Sequence, residues 1–158
     1  MSEAKNRKQR LVWIVGIACA LGGFATGAIA AGKKQQLVVP FSEAKWGPMD
    51  PANAAGPQVA VLWGDPKKGS SAVLLKLKKG PAPLHTHSAD YQAALIQGST
   101  KHWDKGQEEK DAVALTPGSF WFQPGKQPHG DSCLSDECVI FVSWAGKMDF
   151  KVAEQPKK

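Results

Sequence analysis

The four histidines of this 158-residue chain, His85, His87, His102 and His129, all fall between positions 85 and 129. His85-Thr86-His87 is an H-x-H pair, and His129 closes the segment Gly118-Ser-Phe-Trp-Phe-Gln-Pro124-Gly-Lys-Gln-Pro-His129. Residues two apart on a β-strand point to the same face. Two imidazoles of one strand can therefore grip an ion if a third ligand arrives from another strand. Neutral imidazoles suit a divalent first-row metal. Three of them leave coordination positions open for water, substrate or oxygen, as catalytic sites do and closed structural sites do not. The bland reading is three polar residues on a rim. The second segment, at a matching distance, weighs against it.

The elements that must position these residues read as strands. After the N-terminus, helical periodicity nearly vanishes. Candidate strands are 36–40, 59–63, 72–77, 91–96, 100–103, 113–116, 119–123, 139–144 and 149–152. Gly64-Asp65-Pro66, Lys79-Gly80-Pro81, Gln97-Gly98, Pro117-Gly118, Pro124-Gly125 and Ala145-Gly146 supply turn chemistry between them. Many short strands with frequent turns predict an all-β, single-domain sandwich or barrel. Residues 42–58 read as a long loop placed to line a barrel mouth.

Two segments carry a resemblance. Gly80-Pro-Ala-Pro-Leu-His85-Thr-His87-Ser-Ala-Asp-Tyr91, followed by Gly98, resembles the first cupin motif, roughly G-x5-H-x-H-x3/4-E-x6-G. Gly118, Pro124 and His129 resemble the second, with the glycine after the proline one place early. The resemblance implies a double-stranded β-helix, or jelly-roll barrel. The chain departs from the motifs twice: Tyr91 stands where they place a glutamate ligand, and Cys133 where they place an asparagine. What remains, His85, His87 and His129, is similar to the three-histidine cupins, which include ferrous thiol and β-diketone dioxygenases. Pro83-Leu-His-Thr-His-Ser-Ala-Asp-Tyr91, Gly98-Ser-Thr-Lys-His102-Trp103 and Leu62-Trp63-Gly64-Asp65-Pro66 look closer still to a ChrR-like bacterial cupin family. That likeness implies a fold and a metal, not a reaction. One divalent ion per chain is expected, Fe2+ or Zn2+ first, with Mn2+ and Ni2+ as alternatives. Cupins commonly dimerise, so a homodimer is a further expectation.

The neighbours of the ligand set carry secondary expectations. A phenol in place of a carboxylate raises the charge of the site by one, which favours an anionic ligand. Tyr91 is expected at the catalytic site, either as a direct ligand or as a packing residue that supports the ligands from behind. His102, on the strand after Gly98, is expected to touch substrate or act as a base rather than bind metal. Asp90 points to the other face of a regular strand and could accept a histidine N–H. Trp63, Trp103, Trp121 and Trp144 read as core or cavity wall, with Trp121 facing away from Phe120 and Phe122.

Lys5, Arg7, Lys8 and Arg10 precede an apolar run from Leu11 to about Ala31, and Ala28-Ile29-Ala30 is an A-x-A cleavage signal. Residues 1–30 therefore read as a signal peptide, or, uncut, as a membrane anchor. Residues 31–158 are the cupin domain, in the periplasm or secreted. Gly16 stands where a lipoprotein signal before Cys19 would have an aliphatic residue. In an exported protein Cys133 and Cys138 are expected to form a disulfide; a metal role for Cys133, four residues after His129, is the alternative. The head carries +3 of the total +6, and no arginine follows Arg10. That argues against nucleic acid and leaves a small molecule as the expected partner.

Overall fold

The computed structural model describes residues 35–153. The basic head, the apolar run, Ala28-Ile29-Ala30 and Cys19 lie outside the described residues. Among those described, no helix is long and apolar enough to cross a membrane.

Ten strands and two 3-10 turns make up the domain: β1 Gly47–Pro48, β2 Gln58–Gly64, β3 Ser71–Pro81, β4 His85–Thr86, β5 Tyr91–Gln97, β6 Thr100–Asp104, β7 Ala114–Leu115, β8 Phe120–Gln123, β9 His129–Trp144 and β10 Lys151–Val152. All strand pairings are antiparallel. The 16-residue β9 is the hub. One edge pairs along β3; the other pairs β5 from Val139 to Trp144 and β6 from His129 to Cys133. The result is the curled all-β jelly roll that the motif resemblance implied.

Alternation sets the faces. In β5, Tyr91, Ala93 and Leu95 are buried, and the residues between them are not. Those three pack with Val73, Ile140, Val142 and Trp144 in the main cluster. Leu74, Ala60 and Val139 form a smaller cluster with Ala44, Trp46, Leu62 and Phe141 packed on it. Val73 and Leu74, adjacent in β3, serve the two clusters, as a two-residue period requires. Gly98, between β5 and β6, has φ 88°, and a Cβ there would meet the Glu137 carbonyl at 2.5 Å. Only glycine suits that turn.

Several sequence expectations change. Residues 36–40 are not a strand: Leu37 and Val38 are exposed, Pro40 lacks a donor, and among the described residues no strand pairs with them. The segment 42–58 is not loop throughout. It contributes β1, which pairs β2, and its Ala44 and Trp46 cover the smaller cluster. The early half of β9 escaped the strand assignment because its inward side chains are polar. The expected strand at 149–152 shrinks to Lys151–Val152, and the strand on which the H-x-H pair was placed is only the two-residue β4. Trp63 is 59% exposed rather than core, whereas Trp144 is buried. Trp121 packs against the main cluster, while Phe120 and Phe122 face outward.

Cys133 and Cys138 are disulfide-bonded. The β3 partner of Glu137 is Lys78 and that of Cys133 is Gly80, so β9 advances four residues while β3 advances two. The bridge therefore clips a bulge at the point where β9 passes from the β5 side to the β6 side.

Candidate metal centre

Register brings the histidines together. His85 of β4 lies directly opposite His129 of β9. Cross-strand partners share a face, and their ring centroids are 4.3 Å apart. His87 follows just past the end of β4, so the H-x-H pair is not wholly in a strand, yet its ring lies 4.9 Å from His85 and 5.1 Å from His129. One ligand nitrogen from each of the three can be chosen so that all lie within 4.8 Å of one another. His85 and His129 are buried; His87 is half-buried.

The outer nitrogens are all spoken for. His85 Nδ1 donates to the Pro83 carbonyl at 2.8 Å, His129 Nδ1 to the Gln127 carbonyl at 3.0 Å, and His87 Nδ1 to the Asp149 carbonyl. A neutral imidazole has one N–H and one lone pair. With Nδ1–H used outward, each Nε2 keeps its lone pair for the centre. Such outward bonds fix the tautomer of metal-ligating histidines. Burial lowers the pKa of all three, prevailing over the charge of Asp131; for His129 it falls to about 4. They are neutral near pH 7, the state a metal needs. The donor set, its tautomers and its spacing fit one divalent ion.

β10 and its approach complete this wall. Lys151 and Val152 pair with Thr86 and His85, Phe150 stacks on His85 at 4.4 Å, and Asp149 Oδ1 accepts the Ser88 N–H at 2.8 Å. Trp144 meets His87 edge-on at 4.9 Å.

Tyr91 reaches the centre. Its hydroxyl lies 3.3 Å from His129 Nε2. Burial, aided by the nearby Asp131 charge, pushes its pKa far up, so it is a neutral phenol. Asp90 does not serve a histidine: its Oδ1 accepts the Gly125 N–H at 2.7 Å, and backbone carbonyls take the role expected of it.

His102 belongs to a neighbouring arrangement that sequence reasoning missed. It lies directly opposite Asp131 in the β6–β9 register, and its Nδ1 bonds Asp131 Oδ1 at 2.7 Å. Its Nε2 faces Gln123 Oε1 at 2.9 Å. The Gln123 amide nitrogen donates to the Pro124 and Gln127 carbonyls, so the oxygen is what it offers His102. An amide oxygen only accepts; His102 must donate from both nitrogens and is an imidazolium. Burial opposes that charge, but Asp131 and Gln123 outweigh it and raise the His102 pKa. Burial likewise opposes the Asp131 carboxylate, and His102 outweighs it, lowering the Asp131 pKa. With both nitrogens committed, His102 has no lone pair with which to act as the expected base.

Asp131 Oδ2 points the other way, 3.5 Å from His85 Nε2 and 3.8 Å from His129 Nε2. A signal for it existed: His129-Gly130-Asp131 repeats on β9 the i, i+2 spacing of His85-Thr86-His87. Gly130 between them admits the Trp103 ring, which a Cβ would meet at 2.4 Å.

A family described as "Domain of unknown function (DUF4437)" matches residues 30–151. Similar solved structures include KdgF from Halomonas sp., 23% identical with a TM-score of 0.53 over 70% of this chain and 94% of that one. The polyketide cyclase RemF from Streptomyces resistomycificus is 17% identical, with a TM-score of 0.59 over 78% and 89%. An RmlC-like cupin from Ralstonia eutropha JMP134 is 21% identical, with a TM-score of 0.56 over 71% and 69%. At these identities the likeness establishes a shared fold, the cupin jelly roll. No curated protein matches the chain.

Proposed function

Since the chain belongs to the DUF4437 family, a cupin-type domain, we propose that it is an exported, metal-dependent enzyme that turns over a small organic molecule at a mononuclear centre held by His85, His87 and His129. One observation carries the reading: three neutral imidazoles converge, each with Nδ1–H bound outward and Nε2 turned inward, that of His129 beside the Tyr91 hydroxyl. Such a set supports a first-row metal with positions left for substrate. Ferrous iron and oxidation of a small substrate is the preferred chemistry, as among three-histidine cupins; a bound metal would supply Lewis acidity and, if iron, one-electron chemistry. The chain's own residues supply the rest. Tyr91 offers a neutral hydroxyl donor beside His129, the His102 imidazolium holds a positive charge next to the centre, and Trp144 and Phe150 shield the imidazoles from water. An anionic or oxygen-rich substrate suits these groups. The periplasm, or the medium, is the proposed compartment, in keeping with the Cys133–Cys138 disulfide.

The test is elemental analysis of protein purified from its native compartment, then oxygen uptake by the iron-loaded form with candidate thiols, diketones and small carboxylates. Stoichiometric iron with substrate-dependent uptake is expected. A wild-type chain that takes up no ion sinks the metal reading. A second reading, a zinc- or ligand-binding sensor with the ChrR-like character of its motifs, is favoured by one observation: His102 has no nitrogen free to act as a base. Stoichiometric zinc without turnover of any substrate would select it.

A further inference from the structure

We propose that Asp131 is a fourth ligand of the metal centre, supplying from β9 the carboxylate that Tyr91 does not supply from β5. This inference rests on the metal reading above and goes beyond it by assigning a residue at a position that neither cupin motif specifies.

Asp131 Oδ2 lies 3.5 Å from His85 Nε2 and 3.8 Å from His129 Nε2. Both rings direct Nδ1–H outward to a backbone carbonyl, which turns Nε2 toward Oδ2. Oδ2 and the two Nε2 atoms, with the Tyr91 hydroxyl 3.3 Å from that of His129, could converge on one cation. The separations suit one. Ligand atoms bound about 2.1 Å from a common ion sit roughly 3.0–3.4 Å from each other. The side chain of Asp131 is only 16% exposed, and a metal on Oδ2 would balance a charge held largely out of water.

The rest of the arrangement serves the same end. His102, directly across the ladder, binds Oδ1 at 2.7 Å and so leaves Oδ2 as the oxygen to coordinate. Gln123 and Trp121 hold His102 in place, one by a hydrogen bond at 2.9 Å and the other by stacking at 5.5 Å. The imidazolium also cancels the charge of Asp131. The centre thus gains a carboxylate ligand without losing net positive charge, and its preference for an anionic substrate survives. Tyr91, relieved of ligation, is free to donate to that substrate.

Cobalt(II) is the probe, titrated into metal-free wild type, Asp131→Asn, Tyr91→Phe and His102→Gln, with affinity read by chelator competition and coordination by the visible spectrum. The wild type should bind one ion. Asp131→Asn should bind at least about 30-fold more weakly, within or beyond the roughly 10- to 100-fold attached to outer-shell partners, and its cobalt bands should change in position and intensity. Tyr91→Phe and His102→Gln should keep the wild-type bands. A wild-type spectrum in Asp131→Asn overturns the proposal, and so does a spectrum that moves only in Tyr91→Phe. Wild type that binds no cobalt overturns the metal reading itself, a separate failure. Should Asp131→Asn not fold, infrared difference spectra of the wild type decide: zinc should shift the stretching bands of one carboxylate, and an unshifted spectrum refutes the assignment.

Discussion

The two halves of β9 share a backbone and differ in chemistry. Val139, Ile140, Val142 and Trp144 fill the half that pairs β5, and all are at most 4% exposed. His129, Ser132 and Cys133, in the half that pairs β6, are no more exposed. The apolar half needs only shape, because dispersion and the hydrophobic effect carry no direction. The polar half needs a partner for every donor and acceptor. Asp131 finds His102 across the ladder, and His129, opposite His85, donates to the nearby Gln127 carbonyl. A jelly roll thus gains a site by exchanging side chains in one half of a strand whose pairing the other half secures.

That division can be broken from either side. The largest effect belongs to His129→Ala, which removes a ligand at the buried centre. Metal affinity should fall by more than the roughly 100-fold upper figure for outer-shell partners, measured by chelator competition, while the metal-free protein still folds. Metal binding within tenfold of wild type would mean that His129 is not a ligand. Ile140→Ala should do the reverse. A buried isoleucine truncated to alanine costs about 2–5 kcal/mol, read by chemical denaturation, and Ile140 lies in the cluster that also holds Tyr91 and Trp144 without being part of the histidine group. Cobalt affinity of the folded variant should stay within about twofold. A tenfold loss would show that the two halves are not separable.

The disulfide sits between the halves and gives a smaller effect. Replacing Cys133 and Cys138 by serine reopens a short loop, worth about 2 kcal/mol. Amide exchange should rise more at 129–133, which loses its anchor at Cys133, than at 139–144, which β3 and β5 hold on both edges. Uniform acceleration along β9 would contradict the division.

How much of this was legible in the sequence follows the same line. The H-x-H pair, the Gly118-to-His129 segment and the cysteine pair are local patterns, and the histidines they mark do meet. Turn chemistry and alternating apolar residues located β2, β3, β5, β6 and β8. The first half of β9 escaped because a strand whose inward residues are polar shows no hydrophobic alternation. Asp131 escaped with it, since its importance depends on a register between β9 and β6 that no local pattern encodes. His102 was visible as a residue, but not as a cation, because its charge is set by Gln123 and Asp131 from two other strands. Residues 36–40 misled in the opposite sense: apolar composition without a neighbour to pair makes no strand.

The smallest effect is a slope, and it separates the halves by pH. Apolar residues do not titrate, so the pH dependence of the metal-free protein should come largely from the polar half. Burial lowers the pKa of His85, His87 and His129, the last to about 4. Between an unfolded value near 6.5 and those folded values the unfolded chain binds more protons. Stability is therefore lost as pH falls through that window, by up to about 1.4 kcal/mol per pH unit for each group. His102 runs the other way. Its pKa is raised, so its contribution is complete below about 6.5 and is lost as pH climbs through the folded value. It cannot offset the loss on the acid side, where it is already protonated in both states. Metal-free protein should thus be most stable near neutrality and weaken steadily from pH 6.5 to 4.5 in thermal melts. His129→Gln should make that acid slope shallower, because one buried neutral imidazole is gone. His102→Gln should leave the acid slope and flatten the alkaline side instead. Equal slopes in all three proteins would place the titrating groups elsewhere and remove the polar half of β9 as the origin of the pH response.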